Sequence, residues 1–264
     1  MSEAAQQTPP EGVRYVAEAA GPGDVPLWVH PEWQEAFPWL VQGTTGAGDG
    51  EEPFDLGMSG AQPIGRVMER WRLLRTETGA HTVAHARQVH RADVHLHTER
   101  GAPGIAVMDG VDGHATGLPG LLLTASVADC VPVFIADPVR RVIAMVHSGW
   151  RGTAAGITEN AIALLASHFA SAPADLVLHC GPAICGACYE VGPEVHVGVR
   201  PHQPPPDGPT CIHLREAIAE RAIIAGVRAD RITISTHCTR CGPGAFFSHR
   251  GGSPARQMGV LGIR

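Results

Sequence analysis

The longest uninterrupted hydrophobic pattern of the chain lies between residues 121 and 146. Leu121–Val127 leads through Cys130 into Val131–Ala136, and Val142–Val146 follows a polar break that contains Pro138. Apolar runs of this length, rich in Val and Ile and bounded by turn residues, are typical of buried strands. The pattern therefore predicts buried strands that are joined by a hairpin across the polar break.

Elsewhere the periodicity of apolar residues predicts both helices and strands. Apolar residues at helical spacing predict the helices Ile64–Thr76, Ala154–Phe169 (capped by Thr153) and Leu214–Ala225. Strands are predicted near Val13–Ala17 and over Thr82–Val89, Leu176–Cys180, Arg231–Thr236 and Val260–Ile263. Between them, Arg91–Gly104 is polar and Val107–His114 has the composition of a Gly-rich link.

The order of these elements predicts the fold class. Strands and helices are intermixed without strict alternation, which favours the α+β class and a single domain with a mixed sheet. Residues 1–35 are rich in Pro, Gly, Ala and Glu, and we expect a poorly ordered or extended N-terminal segment there. Residues 36–264 then form the folded domain.

Composition excludes several functions. The 264 residues carry a net charge of −6 and no basic patch, so nucleic acid is not expected as a partner. The first ten residues do not resemble a secretory signal and no long apolar run exists, so we expect a cytoplasmic protein with no membrane contact. All 20 basic residues are Arg, which excludes a Schiff-base lysine and a Walker A loop.

Candidate chemistry is concentrated at strand ends. His90, Cys130 and His147 each follow a predicted strand, and two imidazoles with a thiolate form a three-ligand set for Zn²⁺ that leaves one position open. In a chain with 15 His, spacing alone makes this a weak assignment, and each His also fits a structural role. Cys130 alternatively fits a nucleophile.

Several motifs resemble one known family. They are Gln88-Val89-His90, Asp112-Gly113, Ala128-Asp129-Cys130-Val131-Pro132, His147-Ser148-Gly149-Trp150-Arg151-Gly152-Thr153, Gly181-Pro182-Ala183-Ile184, Cys188-Tyr189-Glu190-Val191-Gly192, Cys238-Thr239 and Phe246-Phe247-Ser248 with Arg250. In this order they resemble the laccase-domain family. Ser148 and His249 depart from the Ala and Tyr that are usual there.

The resemblance implies a fold of stacked, mixed β-sheets flanked by helices, with residues 36–264 as a laccase-like, zinc-dependent catalytic domain. It also implies that His90, Cys130 and His147 bind zinc, for which Cu²⁺ is a possible substitute. Asp129 is then a candidate to orient a ligand imidazole, or it simply stabilises a turn.

Other residues of the matched motifs are candidates for binding substrate. Arg151 lies near a predicted helix start and suits phosphate, although it also fits a structural ion pair. Trp150 either stacks on a base or packs under the helix. Glu190 and Arg250 are further candidate contacts, Glu190 as an acid or a ligand of ribose hydroxyls.

Three functions are compatible with the resemblance. The first is a zinc-dependent purine nucleoside phosphorylase that acts on adenosine, inosine and S-methyl-5′-thioadenosine with phosphate, with an adenosine deaminase side activity. The second is a copper-dependent polyphenol oxidase, and the third is a peptidoglycan precursor editing factor. The expected partners are small molecules, and the expected state is a monomer or small homo-oligomer.

Two C-x-x-C pairs are the remaining motif. They are Cys185 with Cys188 and Cys238 with Cys241, and fifty residues separate the pairs. This separation exceeds the usual spacing of a zinc ribbon. We therefore expect unconnected, reduced thiols that catalysis does not require, and a structural four-cysteine zinc site is the alternative.

Overall fold

A computed structural model describes residues 8–50, 52–60 and 62–264. The described strands are β1 Arg14–Val16, β2 Ala19–Ala20, β3 Leu27–Val29, β4 Leu40–Thr45, β5 Thr82–Arg87, β6 Val94–His97, β7 Gly104–Asp109, β8 Gly113–Thr116, β9 Leu121–Val127, β10 Val131–Asp137, β11 Val142–Ser148, β12 Val177–Cys180, β13 Glu190–Val191, β14 Thr210–Cys211, β15 Ile232–Ser235 and β16 Gln257–Ile263. The described α-helices are α1 Pro31–Ala36, α2 Ile64–Thr78, α3 Trp150–Ala154, α4 Ile157–Phe169, α5 Pro193–Val199 and α6 Leu214–Ile224.

Two large mixed sheets form the centre of the domain. The first has the strand order β1-β15-β12-β10-β11-β8-β6, and the second has the order β2-β3-β4-β16-β9-β5-β7. In the first sheet, β10 and β11 are antiparallel, as the predicted hairpin requires, whereas β12 and β15 are parallel. Strands β13 and β14 form a separate pair. The predicted α+β class with stacked mixed sheets is confirmed.

The hydrophobic core lies in three layers between helices and sheets. Side chains alternate along β10, so that Val133 and Ile135 face α4 and α6 while Phe134 faces the second sheet. On β9, Leu123 points to the first sheet and Leu122 to α2. Both central strands are therefore covered on two faces, which explains why their sequences are continuous apolar runs and do not alternate.

The segment that precedes residue 36 contributes edge strands to both sheets. Strand β1 pairs in parallel with β15, and β3 pairs with β4. Trp33 is buried beside Phe37 and Trp39 in the layer between the sheets. The strand near Val13–Ala17 is thus confirmed, residues 1–7 lie outside the described residues, and the boundary after residue 35 stays a prediction.

Three expectations about these elements were wrong. Residues 91–114, expected to be polar and linking, contain β6, β7 and the start of β8. In β6 and β8 imidazoles occupy inward positions, where His97 Nε2 lies 3.0 Å from Nδ1 of the buried His114. Strand β7 is a largely exposed edge strand without a histidine. The helix expected over Ala154–Phe169 is two helices, since Gly156 adopts a φ of 83° between them. Thr153 does not cap α4, because its hydroxyl donates to the Gly149 carbonyl at 2.9 Å.

Candidate metal centre

Three predicted ligands meet where the two sheets adjoin. His90 follows β5 of the second sheet, His147 lies near the end of β11 of the first, and Cys130 lies in the short link from β9 to β10. One donor atom of each residue lies within 4.8 Å of the donors of the other two. Because that link passes from one sheet to the other, Cys130 is held at their junction.

Gly149 has no side chain, so the space between these donor atoms stays open. A Cβ at this position would lie 2.9 Å from Cys130 Sγ and 3.3 Å from His90 Nδ1. Any side chain here would therefore enter the space between the thiol and the imidazole. The site is closed on one side by the buried His147 and open on the other, where His90 is exposed.

Asp112 connects the loop that carries His90 to the imidazole of His147. Its Oδ1 accepts the N–H of His90 at 2.9 Å and lies 2.9 Å from His147 Nδ1. Its Oδ2 accepts the N–H groups of Val89 at 3.1 Å and Arg91 at 2.9 Å. These bonds stabilise the left-handed backbone of His90, whose φ is 58°. A carboxylate only accepts, so Nδ1 of His147 carries the proton and Nε2 is free to bind a metal.

The electrostatics of the centre favour a thiolate. Burial alone raises the pKa of Cys130, but the neighbouring His147 and His90 outweigh burial and lower that pKa to about 6. Burial likewise lowers the pKa of His147, and the charges of Cys130 and Asp112 reverse this and raise it to about 9. A metal cation that binds here replaces the proton on His147.

Asp129 does not contact a ligand imidazole. Its Oδ1 accepts the hydroxyl of Thr239 at 2.6 Å, and its Oδ2 accepts the N–H of Arg250 at 2.6 Å. Asp129 has a φ of 83°, so it also forms the tight turn before Cys130. The orienting contact that the sequence suggested for Asp129 comes from Asp112, which the sequence analysis noted only as part of a motif.

Arg151 and Trp150 lie together at the start of α3. The guanidinium of Arg151 stacks on the Trp150 ring, with 4.3 Å from Cζ to the ring centroid. Arg151 is exposed, and among the described residues its guanidinium has no hydrogen-bonding or ion-pair partner. Trp150 is partly buried against the core beneath the helix. The cation is therefore available to an anion, while the indole has a packing role.

Arg250 and Glu190 meet at Tyr189, which the sequence analysis did not select. Arg250 Nη1 donates to the Glu190 carbonyl at 3.0 Å, and its guanidinium lies 5.2 Å from the Tyr189 ring centroid. The Glu190 side chain is exposed. Burial raises the pKa of Tyr189 to about 12, and its phenol also senses the charges of Cys130 and Arg151. Tyr189 thus lies beside Arg250 and Glu190, close enough to the centre for its phenol to be affected by the charge of Cys130.

The three candidate ligands open onto a cleft of about 610 Å³. Its walls include Met58, His85, Arg87, Gln88, His249 and Arg256. The predicted substrate residues Arg151, Trp150, Glu190 and Arg250 are not part of this wall. Of these six residues, Gln88 belongs to a motif singled out in the sequence, and His249 was noted there as a departure. The others come from segments without a recognisable motif, so no local signal identifies them.

The donor set fits a transition metal. Two imidazoles and one thiolate with an open position are a known catalytic zinc arrangement, and the same donors also suit copper. The space kept clear by Gly149 is consistent with an ion between the donors. Fold and site together define a single α+β domain with a three-ligand candidate metal centre between two sheets.

Comparison with known proteins places the chain in a family. The family model described as multi-copper polyphenol oxidoreductase laccase matches residues 45–264, and the chain belongs to this laccase-domain family. The resemblance seen in the sequence is confirmed.

Among the described residues, no helix is both long enough and apolar enough to cross a membrane.

Relatives and solved structures agree with this assignment. The purine nucleoside phosphorylase YlmD of Geobacillus stearothermophilus is 36% identical over 193 residues, 67% of this chain and 70% of that protein. Adenosine deaminase RL5, from an unknown prokaryotic organism, is 34% identical over 164 residues, 59% of this chain and 60% of that protein. The crystal structure of YlmD from Geobacillus stearothermophilus superposes with a TM-score of 0.82 at 29% identity, covering 94% of this chain and 99% of that one.

Proposed function

We propose that this protein is a zinc-dependent purine nucleoside phosphorylase with an adenosine deaminase side activity. The observation that carries the proposal is the centre of His90, Cys130 and His147, whose donor atoms lie within 4.8 Å of one another and face a cleft. The substrates are adenosine, inosine and S-methyl-5′-thioadenosine. A phosphate oxygen bonds to C1′ as the bond from C1′ to the purine nitrogen breaks, and the base leaves with a proton.

The residues around the centre have distinct tasks in this proposal. Bound zinc supplies Lewis-acid polarisation of a substrate or water oxygen. Asp112 holds His147 in the tautomer that ligates through Nε2. Arg151 binds phosphate, because its exposed guanidinium has no ionic partner among the described residues and the chain contains no lysine. Arg250 and Glu190 lie beside Tyr189 and not in the wall of the cleft, so in this proposal they contact the part of the nucleoside that extends beyond it.

The names of the relatives support the same reaction class. One is called a purine nucleoside phosphorylase and another an adenosine deaminase, and both reactions require a purine nucleoside beside an activated oxygen nucleophile. Copper-dependent polyphenol oxidation is the second candidate, because the family description names it. A multicopper site needs several histidine clusters, whereas the described residues provide one metal-ligand group that contains histidine.

A nucleoside panel with product analysis tests the proposal. Adenosine, inosine and S-methyl-5′-thioadenosine are incubated with and without phosphate, and base, sugar phosphate and inosine are quantified. We expect base release that depends on phosphate, deamination of adenosine that does not, and loss of both in Cys130→Ala. Cys211→Ser, which removes an exposed thiol that belongs to neither group of candidate metal ligands, is the matched control.

Two results would contradict the proposal. The first is the absence of any product from all three nucleosides with zinc-loaded protein. The second is protein that is purified without added metal, contains copper and oxidises phenols, which would favour the oxidase. Altered muropeptides with normal nucleosides in a knockout strain would instead favour the peptidoglycan editing function.

A further inference from the structure

The two C-x-x-C pairs are neighbours in space, contrary to the expectation from their spacing. Strands β12 and β15 are adjacent and parallel, so the chain leaves both strands at the same edge of the first sheet. Cys185 and Cys188 follow β12, and Cys238 and Cys241 follow β15. The pairing continues beyond the strands, because the N–H of Thr239 donates to the Ala183 carbonyl at 3.1 Å. The topology thus removes the effect of the fifty-residue separation.

The four sulfurs have the arrangement of a metal site. All four lie within 4.8 Å of one another, and the sulfurs of Cys185 and Cys241 are 3.8 Å apart. A tetrahedral zinc with Zn–S bonds of about 2.3 Å places its sulfurs about 3.8 Å apart. A disulfide requires a sulfur separation of about 2.05 Å, so these two sulfurs are not bonded, and their distance fits the edge of a zinc tetrahedron.

The backbone around Cys238 indicates a thiolate that binds a cation. Its sulfur accepts the N–H groups of Cys185 at 3.2 Å and Cys241 at 3.4 Å. The turn closes when the Gly242 N–H donates to the Cys238 carbonyl at 3.1 Å, and a Cβ on Gly242 would lie 2.4 Å from that oxygen. Amide groups directed at a cysteine sulfur favour its ionised, ligating form.

We propose that Cys185, Cys188, Cys238 and Cys241 bind a second Zn²⁺ in a closed, structural four-thiolate site. Four protein ligands complete the tetrahedron and leave no position for substrate. The site is separate from the centre of His90, Cys130 and His147 and does not depend on the proposed catalytic function. Its ligands include both pairs, so neither C-x-x-C suffices alone.

This zinc holds two loops that reach the catalytic centre. Thr239 lies between two of its ligands and donates to Asp129, the residue before Cys130. Tyr189 follows Cys188 directly, and the Arg240 guanidinium donates to the Cys188 carbonyl at 3.1 Å. Three of the four cysteines are only partly buried or exposed, so their own side chains contribute little apolar packing. In the proposal, metal ligation adds order to the loops at these positions.

Zinc content measured in the absence of the other centre tests the proposal. Protein is purified under reducing conditions without added metal, and zinc per chain is determined by elemental analysis. We expect Cys130→Ala to retain one zinc, and Cys130→Ala with Cys185→Ser and Cys241→Ser to retain none. Cys130→Ala with Cys211→Ser is the matched control and should keep its zinc. Cobalt(II) exchanged into Cys130→Ala should give intense thiolate-to-cobalt absorption.

A second measurement does not require the multiple variant to fold. Removing zinc from Cys130→Ala with a chelator should make four further thiols reactive towards a thiol reagent. The proposal is overturned if folded Cys130→Ala contains no zinc, if the triple variant keeps it, or if the thiol count does not change on chelation. Nucleoside turnover is not measured in these assays, so their failure is distinguishable from failure of the proposed function.

Discussion

Asp112→Asn isolates the contribution of one carboxylate to both the ligand loop and the metal. The wild-type carboxylate accepts four hydrogen bonds, two at each oxygen. An asparagine has the same shape but only one acceptor oxygen, so two of the four bonds must be lost. In one orientation the amides of Val89 and Arg91 lose their acceptor. In the other, His90 loses its acceptor and His147 must change tautomer.

The magnitude follows from this count. Hydrogen bonds to a charged group contribute about 1.5–3 kcal/mol each, so the loss of two costs about 3–6 kcal/mol as an upper bound. The side chain of Asp112 is fully buried, so solvent does not compensate for the lost bonds. In the second orientation the tautomer change puts a proton on the ligating Nε2 of His147, so zinc affinity should also fall by about 10–100-fold.

Two assays on the same protein check this expectation. Urea unfolding of the metal-free form measures the stability term, and competition with a chromophoric chelator measures zinc affinity. Asp230→Asn is the matched control, because its carboxylate is exposed and Arg228 is its one ion-pair partner in the described part of the chain. If Asp112→Asn and the control are indistinguishable in both assays, the role assigned to Asp112 is refuted.

Three further predictions concern the ligands, the anion and the buried charge. Cys130→Ala should lose the zinc of the catalytic centre by elemental analysis, and full retention would refute the ligand assignment. Arg151→Lys keeps the charge but loses the two parallel N–H donors of the guanidinium, so phosphate binding should weaken by about 1.5–3 kcal/mol. Initial-rate kinetics should show this loss for phosphorolysis and a smaller one for deamination. Equal loss of both activities with normal zinc would contradict the phosphate role. Glu18→Gln removes a buried carboxylate that accepts the Ser235 hydroxyl at 2.7 Å and lies 2.8 Å from His179 Nε2, and weaker hydrogen bonds there should cost about 1.5–3 kcal/mol of unfolding free energy. Burial raises the pKa of Glu18, but His179 and Ser235 outweigh burial and lower that pKa. The stabilisation by Glu18 is therefore complete above the ordinary pKa of 4.5 and is lost as pH falls through the lowered pKa of the folded protein. If the urea stability of the variant keeps the wild-type dependence on acid pH, Glu18 is not the source of that dependence.

The sequence allowed the central strands and the three candidate ligands to be predicted, for identifiable reasons. Strands β9 to β11 are covered on both faces, so their apolar runs are unbroken. The ligands lie in motifs that are contiguous in the chain. Strands β6 and β8 were missed because they carry imidazoles at inward positions. A histidine that pairs with another histidine can be buried, but it does not count as an apolar residue in the sequence pattern.

The contacts that were not predicted depend on topology. Asp112 is 35 residues from His147 in sequence, and only the pairing of β8 with β11 brings their segments together. The cysteine pairs were judged by their separation along the chain, whereas the parallel neighbours β12 and β15 determine their distance in space. Spacing therefore predicts local ligand pairs well and long-range partners poorly.

The position of Cys130 between the two sheets has a consequence for mechanical coupling within the domain. His90 follows a strand of one sheet and His147 lies in a strand of the other, so an ion bound by both would link the two sheets. By linkage, a change that moves the two sheets apart at these ligands weakens ion binding, and a bound ion opposes that separation to the same extent. Met145 packs in this layer, with its methyl carbon 2.3 Å from where a Cβ on Gly259 would lie. Met145→Ala would leave a cavity between the sheets, and we expect it to weaken ion binding although Met145 is not a ligand.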